Sequence, residues 1–344
     1  MALSYSKVVI RGEQLLPFQT LLLTKDSSVA DGYVGFEPGA KEGSVWSETS
    51  QTVTEKAYTG DAVSDDTTLA MVDNKIIYAK TVFEQIIKQT SLTNSIFSED
   101  MGVGAEKVRS KMFEDLATTS FSGAIANQQK INRWQGATTA TKAAIAALTP
   151  GAGQGSISAA TQTKVAALPT ALRDGFFAST VYNTWRASAV AGLGEYIKVA
   201  GTVITAANIA AEYAKVFSAI LPDVLADTDK PVIIFAPLAH RQLMRTANNS
   251  VGAASNQNFL FEGDGVDARC SYNGVTVSFV NLTTDIMIAA PAKALFINAD
   301  ATNEDANFME IGQQANGADH VYFKNVYSYA HAVMNQARNV LYGG

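Results

Sequence analysis

The stretch from Phe36 to Gln129 constrains the fold more than any other part of the chain. It reads as a long β-hairpin running directly into a long amphipathic helix. The outgoing arm, Val45 to Tyr58, sets Val45, Trp46, Val53 and Tyr58 among serines and threonines. That composition has β propensity, but the apolar residues do not alternate cleanly, so neither face belongs to an ordinary core. A polar turn follows at 59–66. The return arm, Thr67 to about Phe83, carries Leu69, Met71, Ile76, Ile77, Tyr78, Val82 and Phe83 on mixed faces. An isolated two-stranded hairpin is at best marginally stable in water. This one needs cover, from the rest of the chain or from a neighbouring copy.

The helix that follows has a clear stripe. Val108, Met112 and Leu116 step by four, Phe113 and Ala117 fill the adjoining row, and Glu106, Lys107, Arg109, Lys111, Glu114 and Asp115 cover the other side. This is the pattern of a helix with one buried face. Run from Ala105 to Gln129, it spans roughly 35–40 Å at ~1.5 Å per residue.

Composition bounds the function classes. Hydrophobic residues make up 47% of the 344 residues, enough for a real core and too many for a disordered chain. Charged residues make up only 17%, below the usual ~25%. Low charge favours broad protein–protein contact, since interface cores are depleted of charge; a merely neutral surface has the same composition. The net charge is −6 without a Lys/Arg cluster, which argues against a dedicated nucleic-acid reader but not against enclosing nucleic acid. Cys270 is the single cysteine, so an intramolecular disulfide is excluded and a reducing compartment is expected. Residues 1–7 lack the apolar segment of a signal peptide, and Leu21-Leu22-Leu23 is too short to span a bilayer. A cytoplasmic product without a membrane partner is expected.

Residues 1–35 look like an extended arm that docks piecemeal. Residues 136–170 are rich in Ala, Thr and Gly, with short helices expected at Lys142–Leu148 and Ala159–Leu168 around a loop; the reading finds no internal repeat and no flexible linker. Helical stretches follow between Leu172 and Lys198. Thr205 has the chemistry of an N-cap for a helix carrying Ile209, Tyr213, Val216, Phe217 and Ile220 and stopping at Pro222. Pro231 to Ala236 is a continuous apolar run, hence a buried strand, and Pro237 suits the first turn of a helix. Asn273-Gly274 is turn chemistry ahead of a strand at 275–280. Apolar runs at 286–290 and 294–297, then 308–311 and 321–334 joined through Asn316-Gly317, complete a β-rich end. Helices and strands come in blocks, so the class is α+β.

Residues that carry chemistry are sparse. His240, His320 and His331 fall in a helix, a turn and a strand, outside any metal-binding spacing. There is no nucleophile elbow. Gly151-Ala152-Gly153-Gln154-Gly155 follows a proline and lacks the Gly-Lys-Ser/Thr ending of a phosphate loop. Asp300, Thr302, Glu304, Asp305, Asn307 and Glu310 lack the spacing of a calcium loop and read as a solvated acidic turn. Catalytic, cofactor and metal sites are therefore expected to be absent.

The order of elements resembles the major capsid protein of tailed bacteriophages, the Hong Kong 97-like fold. The closest echoes are Asn307-Phe308-Met309-Glu310-Ile311, the strand Val321 to Val333, the closing Gln336 to Tyr342, the strand–proline–helix unit from Pro231 to Asn248, and Asn273 to Val277. The resemblance implies an N-terminal arm at 1–35 and an extended loop at 36–83. It implies a peripheral domain at 84–135 and 299–334 with the long helix as its spine, and an axial α/β domain at 136–298 and 335–344. It also implies a function: a non-enzymatic subunit that assembles with itself into pentamers and hexamers of an icosahedral virion capsid, built in the host bacterial cytoplasm and enclosing double-stranded DNA without sequence specificity. Scaffolding, portal and decoration proteins are the further partners implied. The hairpin would then lie over a neighbouring subunit, with Val45, Trp46, Val53, Tyr58, Leu69 and Met71 as its assembly interface. Some members cross-link a loop lysine to a neighbour's asparagine; Lys41 or Lys56, with Asn325 or Asn335, are the candidates here. Three other readings stand beside this one: an encapsulin-like nanocompartment shell, an α+β enzyme with an unrecognised carboxylate site, and a tail or surface structural protein of a virus.

Overall fold

The computed structural model describes residues 8–11, 26–37, 45–52, 68–75, 79–88, 111–151, 157–189, 196–251, 259–262, 269–282, 285–299, 308–313, 320–334 and 336–343. Among these the chain forms a six-stranded sheet, a seven-stranded sheet and a separate two-stranded hairpin.

Of the N-terminal segment, residues 8–11 and 26–37 are described. Strand β1 (Val8–Arg11) pairs antiparallel with Phe308–Gln313. A single helical turn, α1 (Ser27–Ala30), is capped by Asp26, and β2 (Gly35–Glu37) pairs in parallel with Leu295–Ala299. The hairpin follows: β3 (Val45–Thr52) against β4 (Thr68–Lys75), in register from Val45↔Lys75 to Thr52↔Thr68. The expected return arm, Thr67 to Phe83, is two strands. The hairpin ends at Lys75, and β5 (Ala79–Lys88) leaves it to pair with His320–Val333 of the six-stranded sheet. The reason is cover. Thr81 is buried and Phe83 packs on the core, which a free hairpin does not offer.

The long helix, α2, runs Lys111–Gln135. It extends past the expected end at Gln129, and its expected start at 105–110 lies outside the described residues. Phe121, Ile125, Gln129 and Arg133 step by four along its buried side, with Ser122 and Ala126 beside them. Phe121 meets Phe323 at 5.6 Å between ring centroids. Each such buried apolar side chain contributes about 1.5–3 kcal/mol. Strands β12 (Leu295–Ala299), β13 (Phe308–Gln313) and β14 (His320–Val333) complete this sheet in the order β1-β13-β14-β12-β2, with β5 also on β14.

Two short helices follow, α3 (Thr139–Ala146) and α4 (Ala159–Ala167), and here the structure corrects the sequence reading: they are an internal repeat. Thr138, Ala140, Thr141, Ile145, Ala146, Ala147 and Leu148 recur at one constant spacing as Ser158, Ala160, Thr161, Val165, Ala166, Ala167 and Leu168. The burial pattern recurs with them: Thr141 and Ile145 are buried in one helix, Thr161 and Val165 in the other.

The seven-stranded sheet has the order β6 (Ile197–Val199), β15 (Val340–Tyr342), β11 (Met287–Pro291), β7 (Val232–Pro237), β10 (Val275–Val280), β9 (Arg269–Tyr272), β8 (Phe259–Glu262). Strand β7 is buried at every residue. Its side chains alternate between two cores: Ile233 and Phe235 face the larger one, Val232, Ile234 and Ala236 the other. Covering on both faces is why the sequence shows a continuous apolar run there. Helices α6 (Ile209–Ala219), α7 (Pro222–Leu225) and α8 (Leu238–Val251) cover one face through Tyr213, Val216, Val224 and Met244. The other face joins the core of the six-stranded sheet, where Trp134 at the end of α2 touches Phe235 and Phe176 with centroids 5.2 Å and 5.1 Å away. Phe176 opens helix α5 (Phe176–Ala189). The Asn273-Gly274 turn is a two-residue hairpin loop with φ of 48° and 81° at its two positions, the backbone this dipeptide favours.

Two local readings change. The cap ahead of α6 is Asn208, not Thr205, and its side chain accepts from Thr205 N at 2.7 Å instead of binding the helix. The closing segment is a 3₁₀ turn at Gln336–Arg338 followed by the short β15, not one strand from Gln336.

Candidate assembly surface

Backbone register divides the hairpin residues between two faces. Val45, Thr49, Gln51, Leu69 and Met71 lie on one; Trp46, Glu48, Val72 and Asn74 lie on the other. Of the expected interface set, Val45, Leu69 and Met71 therefore share a face and Trp46 lies opposite, while Val53 and Tyr58 fall outside the described residues. Both faces mix apolar with polar residues. Among the described residues, β3 and β4 pair only with each other and join neither large sheet.

The sequence reading missed a second exposed apolar feature. On β5, Thr81 and Phe83 turn inward, while Val82 and Ile86 on the opposite face are 46% and 57% exposed. Glu84 lies between them and pairs across the strands with Lys324, at 3.0 Å. β5 pairs with β14 along its whole length and, among the described residues, with no other strand. The signal in sequence is the period-2 placement of Val82, Glu84 and Ile86, a polar residue between two apolar ones.

Two buried basic groups are held inside the fold. Asp26 and Arg133 form a buried ion pair at 3.1 Å. Burial alone would raise the Asp26 carboxyl, but Arg133, Trp134 and Ser28 outweigh it and the group is held below its usual range. Arg173 stacks 3.2 Å over the Tyr329 ring, donates to the Tyr329 carbonyl at 2.5 Å, and bonds the Thr81 hydroxyl.

The groups with reactive chemistry are packed into the fold. His240 bonds the Tyr213 hydroxyl through Nδ1 at 3.1 Å, and burial lowers its pKa to about 4. His331 sits beside Phe176 and Tyr329; burial and the nearby Arg173 and Arg133 lower its pKa to about 3. The Cys270 thiol is buried in β9 and pushed up to about 12 by desolvation, which removes its thiolate at neutral pH. Glu310, expected in a solvated turn, is a buried strand residue that accepts from Tyr322 OH; the rest of that acidic group, 300–307, lies outside the described residues. Asn325 is 3% exposed, which removes it as an acceptor for a neighbour's lysine; Lys41, Lys56 and Asn335 are outside the described residues. No group of three or more His, Cys, Asp or Glu side chains is placed to hold a metal among the described residues, and no described helix is long and apolar enough to cross a membrane.

The fold is similar to a chain of the satellite phage P4 procapsid including size determination (Sid) protein, with a TM-score of 0.52 and 11% identity over 95% of this chain and 97% of that one. A chain from Gordonia phage Cozz (TM-score 0.49, 12% identity, 92% and 85% covered) and one from the capsid of the native GTA particle (TM-score 0.49, 13% identity, 90% and 88% covered) also align; at those scores they add no weight. No protein-family model matches the chain, and no curated protein matches it. The P4 likeness, spanning nearly all of both chains, shows the fold: α+β, of the Hong Kong 97-like capsid type that the order of elements implies.

Proposed function

We propose that this chain is a major capsid subunit that assembles with itself into the pentamers and hexamers of an icosahedral phage head around double-stranded DNA. The observation that carries the reading is the hairpin that, among the described residues, stands apart from both large sheets. Eight residues of β3 pair with eight of β4, roughly 27 Å of ladder at ~3.4 Å per residue, and neither strand joins another sheet of the described chain. Such a ribbon is marginal alone and gains its stability by lying on a second subunit. The exposed Val82 and Ile86 on the adjoining β5 extend the same contact.

The mechanism is geometric. The hairpin of one copy on the body of the next is a heterologous contact, which closes into rings when the rotation fits. Several modest contacts per subunit then add through effective concentration. In this reading residues 84–135 and 299–334 form the peripheral domain, and residues 136–298 and 335–344 the axial domain around the ring axes. The low charge of the chain suits broad protein contact, and its net charge of −6 suits a wall that encloses DNA without gripping it.

The test is assembly of the purified full chain, followed by light scattering and negative-stain microscopy. Closed shells, capsomers or tubes are expected. What copurifies separates the two container functions: DNA supports the phage head, a protein cargo the nanocompartment. A deep-pocketed monomer at high concentration would contradict both.

A further inference from the structure

The repeated helices α3 and α4 are joined by a reciprocal clasp. Each begins alike: Thr141 N donates to Thr138 Oγ1 at 3.1 Å, and Thr161 N to Ser158 Oγ at 3.1 Å. Each then binds the end of the other. Lys142 Nζ donates to the Ala166 carbonyl at 3.4 Å, to the Leu168 carbonyl, and to the Thr170 hydroxyl at 3.3 Å. Gln162, at the equivalent place in the second helix, donates through Nε2 to the Ile145 and Leu148 carbonyls at 3.0 and 2.8 Å. The last carbonyls of a helix have no partner within it. Here the same position of the opposite helix supplies that partner in both directions, the signature of a local twofold.

The outward anchors of the two copies differ. The first copy holds Asp174, whose Oδ1 accepts from Thr138 N at 2.7 Å and Oδ2 from Thr141 Oγ1 at 2.5 Å. The Asp174 carbonyl lies 3.1 Å from His331 Nδ1. A carbonyl only accepts, so Nδ1 carries the proton and ties Asp174 to β14 of the six-stranded sheet. The second copy has Lys164 where the first has Ala144. Lys164 Nζ donates to the carbonyls of Gly343 and Asp285 at 3.0 and 3.5 Å. Gly343 follows β15 and donates its own N–H to Val199 of β6 at 3.0 Å, and Asp285 Oδ1 accepts from Ile204 N at 2.8 Å. Lys164 is thus bound at the β15–β6 side of the seven-stranded sheet.

We infer that residues 138–168 are an internal duplication that works as a brace: one copy is fastened to the six-stranded sheet through Asp174 and His331, the other to the seven-stranded sheet through Lys164, and the Lys142/Gln162 clasp couples the two. The brace is a property of the single subunit and stands whether or not the subunit forms shells. Duplication explains why a pair of short, charge-poor helices holds together at all. Helices of this length are marginal alone, and reciprocal capping supplies what their own turns lack.

Amide hydrogen exchange on the purified full chain tests this. Lys164→Met is expected to speed exchange at the β15 amides and at Gly343 while leaving β14 near His331 at the wild-type rate. Lys142→Met touches neither anchor, yet is expected to speed exchange at both sites by about tenfold, as loss of charged hydrogen bonds implies. Should Lys142→Met not fold, Gln162→Met is read in its place. The exchanged pair, Lys142→Gln with Gln162→Lys, is expected to return both sites toward wild type, because the positions are equivalent. Faster exchange confined to α3 and α4, with both sheets unchanged, would overturn the brace. An exchanged pair no better than the single variants would overturn the twofold clasp.

Discussion

Trp134 donates its indole N–H to the carboxylate of Asp26 at 2.9 Å, and Arg133 donates to the same oxygen at 3.1 Å. Two adjacent residues at the end of the long helix thus close on one acid of the N-terminal arm. Ser28 fills the other oxygen through its N–H at 3.2 Å and its hydroxyl at 2.9 Å. A buried acid so supplied is costly to remove. Asp26→Ala is expected to lower stability by about 3–5 kcal/mol, since it leaves the Arg133 charge buried without its carboxylate. Asp26→Asn, which keeps the shape, should cost less. Urea unfolding midpoints measure both.

The same acid gives a pH signature. Its carboxyl is held below the ordinary value of 3.8, so its contribution is fully present above the unfolded value and is lost as pH falls through the folded one. Wild-type stability should fall on acidification below about pH 4, and Asp26→Asn should lose less over that interval.

His331 acts at milder pH. Its pKa is lowered from 6.5 to about 3 by burial and by the nearby Arg173 and Arg133. The unfolded chain therefore binds the extra proton first, and the stability contributed by the neutral ring is lost as pH falls from about 6.5 toward 3. His240, lowered to about 4, adds to the same slope. His331→Phe should be less stable at neutral pH, having lost the bond to Asp174, yet show a shallower decline between pH 7 and 5. An unchanged slope would contradict the assignment.

Gly35 is fixed by a ring. A Cβ there would stand 2.2 Å from Phe296 Cδ2, so a side chain at residue 35 would have to displace the Phe296 ring where β2 lies on β12. Gly35→Ala is expected to cost about 1–3 kcal/mol. Adding Phe296→Ala should recover part of that loss, a coupling that a double-mutant cycle reads directly.

Much of this fold is legible in the sequence, for stated reasons. The run Val232–Ala236 reads as a buried strand because both of its faces are covered, and Asn273-Gly274 reads as a turn because few residues tolerate its backbone. The order of elements carried the fold class even though no short motif does. What failed to show did so for physical reasons as well. The split of the return arm at Lys75 depends on β14, which lies far away in sequence. The buried state of Glu310 and Asn325 depends on packing partners that local composition does not reveal. The repeat at 138–168 was present in the letters, but Ala and Thr are common enough that the match stands out only once Lys142 and Gln162 are seen reaching across to each other. Of the expected interface residues, four lie on the hairpin strands; Val82 reads in the sequence only as part of a mixed arm, and Ile86 lies beyond that arm's expected end.

Deleting the hairpin separates folding of the subunit from its assembly. Replacing residues 45–75 by a short polar linker spares β5, which belongs to the six-stranded sheet. The account predicts a subunit that unfolds cooperatively near the wild-type midpoint but sediments as single subunits under conditions where the intact chain forms shells. Normal shells from the deleted chain, by sedimentation and negative-stain microscopy, would contradict it.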